Sequence, residues 1–481
     1  VSKILLKRLF SFAAFSSLII FLLSINLIAQ TAIVRPGPHQ KITLALVGDA
    51  IITHRISQFD NPLYPQFQRM VSIIRNADAA FLNLELSLIS FSDFKGWPEV
   101  ENGGNWEVGD PGCGFDLKEM GFDLMSRANN HTTDYGVEGM KVTDALLDRL
   151  GIVHAGSGMN LGQASRPGYL STIKERVALI SFASSFTRMS RAGACRQDMV
   201  GRPGLNALRL KRVFQVDSET YKILTQLAPK LGGKPASEPS SSSSSLTIFT
   251  VESPASRIIV VPGEEYKVVE TPYGEDQERI LREVANASRF AGYVIVASHS
   301  HQPGNKQVIP PDWLRVLAKQ CIDAGASAFV VSGPHQLRGI EIYKGKPIFY
   351  SLGNFIFQQE TIDPVPADFY EKLHLPDTAL AADLYDKRYQ GGTTGFPSSP
   401  IWYESIIAVP TFKDKKLIDL KLYPLDLGQK EPRSQRGCPF LADEAKAKKI
   451  IKHLAELSAP FGTQIEFKNG IGIWIKASSA K

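Results

Sequence analysis

Residues 126–136, SRANNHTTDYG, crowd two asparagines, a histidine and an aspartate between an apolar run and an amphipathic segment. Read alone, this is a polar turn, because asparagine favours turns. Its chemistry depends on what other segments bring to it. Four further apolar runs end on groups that bind cations or move protons: Asp49 after KITLALVG, Glu85 after AAFLNL, His299 and His301 in GYVIVASHSH, and His335 after AFVVSGP. Carboxylates, amides and imidazoles without thiolates make a mixed oxygen and nitrogen donor set, suited to Mn, Fe, Zn or Mg rather than a structural zinc site. His299 and His301 are two apart, so in extended backbone they face the same way; both reach one centre, or one orients the other. Each residue also has an ordinary reading. Asp49 can cap a helix or turn, Asn129 and Asn130 can build a turn, and each histidine can be a satisfied hydrogen-bonding group. Glu85 is harder to dismiss, since a carboxylate closing an apolar strand needs a partner. Their joint occurrence at strand ends favours a metal site.

The elements that must position these groups are legible as apolar runs. KITLALVGD, NADAAFLNLELSL, GFDLMSRANNH, GIVHAG, RVALISFAS, GYVIVASHSH, ASAFVVSGPH and KPIFYSLGNFIF read as strands. Between them lie helical patterns. DYGVEGMKVTDALLDRLG carries Val142, Leu146 and Leu150 as a stripe and stops at Gly151. PDWLRVLAKQCIDAG sets Cys321 on one face with Leu314 and Leu317, as a buried thiol. Alternation of strand and helix predicts a layered α/β domain with a largely parallel sheet. Ligands in such sheets sit beyond the carboxyl ends of the strands, so the polar groups are expected along one edge.

The order Asp, acidic, Asn-His, His, His resembles the calcineurin-like metallophosphatase superfamily. VGD, NLE, ANNHTTDYG, AGSGMNLGQASRP and RGIEIYKGKPIFYSLGNFIF resemble more closely the CapA family, associated with poly-γ-glutamate capsule synthesis, over roughly residues 42–357. That resemblance implies a metallophosphatase-like β-sheet core flanked by helices. It implies Asp49, Glu85, Asn130, His299 and His335 as ligands of one or two divalent ions, and His131 as the general acid protonating a leaving oxygen. Asp134 then holds the His131 imidazole in its productive tautomer. Asn129 and Arg127 line the site or are structural; Glu341 and Asn354 are assigned to structure. Two departures thin the metal shell. The superfamily's Asp-x-His is here GDAI, with Ile51 in place of histidine, and VVSGPH offers His335 alone where two histidines are usual. A single metal, or weak binding of a second, follows.

Two functions fit. One is a metal-dependent hydrolase of phosphoesters, acting outside the cytoplasm in capsule or poly-γ-glutamate biosynthesis. The other is a non-catalytic, membrane-anchored component that makes, exports or tethers an anionic polymer, alongside other capsule-synthesis components. The basic stretch KAKKIIKH either touches such a polymer or is a solvated helix face. Nucleic acid is not an expected partner: without Lys3, Lys7 and Arg8 the balance is 51 basic against 48 acidic residues.

Residues 1–30 are expected to be a signal peptide or signal anchor. A basic head precedes an uncharged run from Leu9 to Ala29, about the ~20 residues a spanning helix needs, with the positive end cytoplasmic. Export to the cell surface or the periplasmic side follows. The CapA-like domain is expected over 41–430, with a Ser-rich insertion at 216–250 that cannot bury enough apolar surface to order itself. A second insertion at 360–400 is read as partly helical, either a surface loop or a lid. Residues 431–481 form a C-terminal extension, a basic-faced helix and a hairpin around Asn469-Gly470. Cys113, Cys195, Cys321 and Cys438 have no C-x-x-C spacing, which argues against a thiolate metal site.

Overall fold

Strand β1 (Lys41–Ile51) is apolar at almost every position because both of its faces are covered. The computed structural model describes residues 40–102, 104–231, 234–235, 246–249 and 257–476. In it, Leu44 and Leu46 enter a core shared with a second sheet, while Ala45 and Val47 enter a core under helices. Strands β2 (Ala79–Leu84) and β3 (Leu124–Ser126) run parallel to β1 in the order β1-β2-β3, and Val153–Ala155 closes that edge. On the other flank of β1 lies an antiparallel hairpin of Glu404–Lys413 and Lys416–Asp426. The second sheet is centred on β4 (Tyr293–His299) and β5 (Ala328–Ser332), which are parallel, with Arg176–Ala183 beside β4 and Lys346–Phe349 beside β5. Strand β6 (Asn354–Phe357) then crosses to the first sheet and pairs with the end of β1.

The two sheets face each other across one apolar layer. Phe81 and Leu124 from the first meet Leu179, Ile295 and Val330 from the second, with Ile450, Ile451 and Leu454 of the helix Glu444–Ser458 in the same cluster. Helices cover both outer faces. Phe67, Met70 and Leu147 pack beneath the first sheet; Ile280, Leu314 and Cys321 pack beneath the second. The architecture is therefore α/β/β/α. The largely parallel sheet expected from sequence is corrected to two mixed sheets. A strand buried on both faces reads as one apolar run whether it is covered by helices or by another sheet.

Local differences have physical reasons. The helix Gly136–Arg149 forms, but Val142 is 39% exposed; the buried face carries Gly139, Met140, Thr143, Leu146 and Leu147 instead. KPIFYSLGNFIF breaks into two strands, since Gly353 takes φ +76° and turns the chain from one sheet to the other. Cys321 is buried as expected, and all four cysteines are free.

The stretch 216–250 holds the helix Ser218–Leu227 and the strand Leu246–Phe249. These belong with a small five-stranded sheet that also includes Leu210–Val216, Arg257–Pro262 and Lys267–Pro272. The serine run lies outside the described residues. Residues 360–400 carry the helices Ala367–Lys372 and Ala381–Tyr389. Residues 431–481 do more than extend the chain: Gln464–Lys468 and Ile471–Ile475 form the hairpin around Asn469 and Gly470, and join the first sheet. The expected signal segment falls outside the described residues, among which no helix is long and apolar enough to cross a membrane.

Candidate metal centre

Alternation within each strand decides which side chains reach the gap between the sheets. On β2, Ala79 and Phe81 face the inter-sheet core, so Asn83 and, just beyond the strand, Glu85 follow on that side. On β4, Tyr293, Ile295 and Ala297 do the same, and His299 continues the series; on β5, Ala328 and Val330 lead to Ser332. Asp49 lies at an irregularity in the β1–β2 register, where the pairing shifts between Leu46 and Asp49. The polar groups thus collect at the carboxyl ends of strands from both sheets, not along the edge of one.

Asp49, Glu85, Asn130, His299 and His335, expected from sequence to share a site, are brought together. Two triads, Asp49-Glu85-His299 and Glu85-His301-His335, each place three ligand atoms within 4.8 Å of one another, and they share Glu85. Glu85 Oε1 is 3.4 Å from His299 Nε2 and 3.9 Å from His335 Nε2. Asp49 Oδ1 accepts from Asn83 Nδ2 at 2.9 Å and Oδ2 accepts from the Gly333 N–H at 2.9 Å. Gly333 adopts φ +102°, a conformation that suits glycine and turns its N–H onto the carboxylate. Asn130 Oδ1 lies 2.6 Å from His299 Nε2 and 3.3 Å from His301 Nε2.

The hydrogen bonds on the far side of each ring set which nitrogen faces inward. His335 Nδ1 pairs with Asn354 Oδ1 at 2.9 Å and His301 Nδ1 with Asn305 Oδ1 at 2.8 Å. An amide oxygen only accepts, so both Nδ1 atoms carry the proton and both Nε2 lone pairs are free. Asn354, assigned to structure from sequence, is the orienting partner of His335. His299 differs: Nδ1 meets Ser332 Oγ at 3.0 Å and Asn83 Nδ2 at 3.3 Å. Here Asn130 Oδ1, which only accepts, draws the His299 proton onto Nε2; to offer Nε2 to a cation the ring must take the other tautomer, with its proton on Nδ1 facing the Ser332 hydroxyl, which can accept.

Electrostatics agree with this geometry. Burial holds His299 far below the usual imidazole range, His301 at about 3 and His335 at about 4, so all three are neutral, as metal ligands must be. Burial raises Asp49, against the pull of the Gly333 N–H and Asn83, and raises Glu85 further with Asp49 beside it. Both Glu85 oxygens are buried without a hydrogen-bond partner. An uncompensated buried carboxylate costs several kcal/mol in order of magnitude, and a divalent cation is what this donor set lacks. The residues fit the metal that the resemblance implies.

His131 and Asp134 form a separate dyad at the pocket wall, with Nδ1 2.6 Å from Asp134 Oδ2. Burial opposes charge on His131, but Asp134 and Glu107 outweigh it and its pKa is raised. Arg127 is structural: its guanidinium donates to the Leu84 and Leu86 carbonyls at 3.2 and 2.8 Å, gripping the backbone on both sides of Glu85. Asn129 Nδ2 donates to Leu84 O at 2.8 Å in the same clamp. Glu341 is remote in role, held by Lys319 and Tyr350.

Besides Asn83 and Asn305, three residues of one pocket wall escaped the sequence reading. Asn102 donates to Asn130 O at 2.6 Å, the Glu107 N–H donates to Asp134 Oδ2 at 2.7 Å, and Asn105 stands beside Glu107. They come from a loop, ENGGNWEVG, whose only signal is a pair of asparagines between two glutamates, the second beside a tryptophan. The cavity in front of these groups has a volume of about 300 Å³.

Fold and site together define a class: a layered α/β protein with a buried carboxylate and imidazole centre opening on a small pocket. Comparison with known proteins makes the class specific. Residues 43–359 match the family described as bacterial capsule synthesis protein PGA_cap, and this chain belongs to that family. Uncharacterized protein y4sH of Sinorhizobium fredii is 38% identical over 90% of this chain and 92% of its own length. Capsule biosynthesis protein CapA of Bacillus anthracis is 24% identical over 71% of this chain and 66% of its own. PGA biosynthesis protein CapA of Bacillus subtilis is 28% identical over 50% of this chain and 44% of its own. Among solved structures, Haemophilus influenzae NAD nucleotidase overlaps at a TM-score of 0.33 with 10% identity, covering 86% of this chain and 63% of that one, a likeness too loose to bear on function.

Proposed function

We propose that this protein acts outside the cytoplasm in the synthesis of a capsule polymer of the poly-γ-glutamate kind, as a metal-dependent hydrolase of the metallophosphatase superfamily acting on a phosphoester. The observation that carries this reading is Glu85, whose two unpartnered oxygens sit between the imidazoles of both triads. Asp49, Glu85, Asn130 and His299 would hold one divalent ion; Glu85, His301 and His335 offer ligands for a second. When bound, the ion supplies Lewis acidity and a water of lowered pKa. The chain's own residues do the rest. Asp134 fixes the His131 proton on Nδ1, leaving Nε2 to hand a second proton to a leaving oxygen from the imidazolium form. Asn354 and Asn305 keep the His335 and His301 lone pairs turned inward. Phe186, Phe357 and Phe396 line the pocket.

The test uses purified protein with Mn²⁺ on aryl phosphodiesters and monoesters, with metal content measured in parallel. Turnover should need metal, fall on the order of 10²–10⁴-fold in His131→Ala, and vanish together with metal content in Glu85→Gln. Protein that holds metal yet turns over neither ester class points instead to the anchored, non-catalytic role.

A further inference from the structure

One wall of this pocket presents acceptors with nothing to accept. Asn105 and Glu107 are 2% and 1% exposed, yet both line the cavity with Asn102 and His131. Asn105 Nδ2 donates to Glu107 Oε1 at 2.9 Å, which leaves Asn105 Oδ1 and Glu107 Oε2 without a hydrogen-bond partner. A buried acceptor left unpaired costs about 1–3 kcal/mol, more when it is charged. No lysine or arginine is among the lining residues. Arg388 acts on Glu107 through space, while its guanidinium donates to the Gly104 carbonyl and covers the Phe369 and Tyr389 rings. The wall therefore fits a ligand group that brings several N–H donors and a positive charge. For an anion it offers only the His131 imidazolium, already assigned to the leaving oxygen.

We propose that Glu107 Oε2 and Asn105 Oδ1 form a recognition subsite for a primary ammonium group on the substrate, an inference that rests on the reading of this pocket as the substrate site. Its placement ties recognition to chemistry. The Glu107 N–H holds Asp134 Oδ2, and the same oxygen faces His131, so an ammonium seated on Glu107 is registered against the proton donor. The interior of a γ-glutamyl chain displays amides and carboxylates; its amino end carries an ammonium. The subsite thus selects the chain end over the chain middle. Burial pushes the Glu107 carboxyl up to about 7, a cost that an arriving cation offsets.

The test is titration calorimetry of the full chain with γ-glutamylglutamate and with its N-acetyl derivative, each in Mn²⁺ and in EDTA. The free amine should bind at least about tenfold more tightly than the acetylated probe, in both conditions, because a charge-assisted hydrogen bond is lost on acetylation. Glu107→Gln should abolish that preference, so that the two probes bind with equal affinity, and Asn105→Ala should reduce it. Equal affinities, binding of neither probe, or a preference that survives in both variants overturns the inference. A separate Mn²⁺ titration keeps the two readings apart. Protein that takes no Mn²⁺ refutes the metal-dependent hydrolase, whereas the amine preference in EDTA decides the subsite by itself.

Discussion

His131 shows how one residue's neighbours set its usefulness. Burial alone would keep its imidazole neutral, yet Asp134 at 2.6 Å and the charge of Glu107 reverse that and raise its pKa. A raised histidine pKa contributes stability that is fully present below the unfolded value near 6.5 and is lost as pH rises through the folded value. On the proposed hydrolase reading the same sign would govern catalysis: a general acid works while protonated, so activity should fall as pH passes the His131 pKa. In Asp134→Asn the pKa-raising charge is gone, and the alkaline limb of kcat should move to lower pH. At its optimum the variant should lose on the order of 10²-fold, since the ring is no longer held in one tautomer. A purely structural Asp134 would lower activity without moving the limb. The pair was legible through the family resemblance that ANNHTTDYG carries. Glu107 was not, because it reaches His131 from a loop whose position only the packed fold defines.

At the level of elements, the stretch between β6 and the strand Glu404–Lys413 sets Phe396 in the pocket wall. Phe396 lies 5.7 Å from the His335 ring, 5.1 Å from Phe357 and 5.1 Å from Trp402, in edge-on contacts. It packs one flank of His335, while Asn354 fixes the proton on the other side of the ring. Phe396→Ala should raise KM more than it lowers kcat, and cost less than the ~3–5 kcal/mol of a fully buried phenylalanine, because Phe396 is only partly buried. Steady-state kinetics and urea unfolding check both; a wild-type KM would return this stretch to the status of a surface loop. Composition could mark 360–400 as interrupting the strand pattern but could not say what it covers. The strands themselves were readable from apolar runs. Their division into two facing sheets was not, because Leu44 against the second sheet and Val47 beneath a helix look alike in sequence. The close approach that joins β6 to β1 was equally silent. Gly48 sits where a Cβ would collide with the Gly353 carbonyl oxygen, and no local pattern announces that contact.

Seen whole, the molecule is two sheets whose apolar interface ends in a polar cluster, and the proposed ligands come from both. Asp49 lies near the end of β1 while Glu85 and Asn130 follow strands of the first sheet; His299 ends β4 while His301 and His335 follow strands of the second. A cation held among them is a cross-link between the sheets, so its removal should weaken the whole fold rather than one loop. Binding at a free concentration of 100 times Kd adds about 2.7 kcal/mol. The pH dependence has a definite sign. The lowered imidazoles contribute stability that is present above about 6.5 and lost as pH falls toward their folded values, so they set the acid side. The raised carboxyls of Asp49 and Glu85 contribute stability that is full below about 4 and lost as pH rises through their folded values. Above neutrality the lowered imidazoles are neutral in both states, and the raised groups, His131 with the carboxyls, set the alkaline side. Metal-free protein should therefore lose the carboxyl contribution as pH rises from about 4, and Mn²⁺ should stabilise the protein more at pH 8 than at pH 6, since metal binding must displace fewer protons there. Scanning calorimetry with Mn²⁺ or EDTA at both pH values measures this, and Glu85→Gln should remove the metal response while raising the Tm of the metal-free protein at pH 8. A Tm indifferent to Mn²⁺ at every pH would mean that the six groups meet for packing and not for a cation.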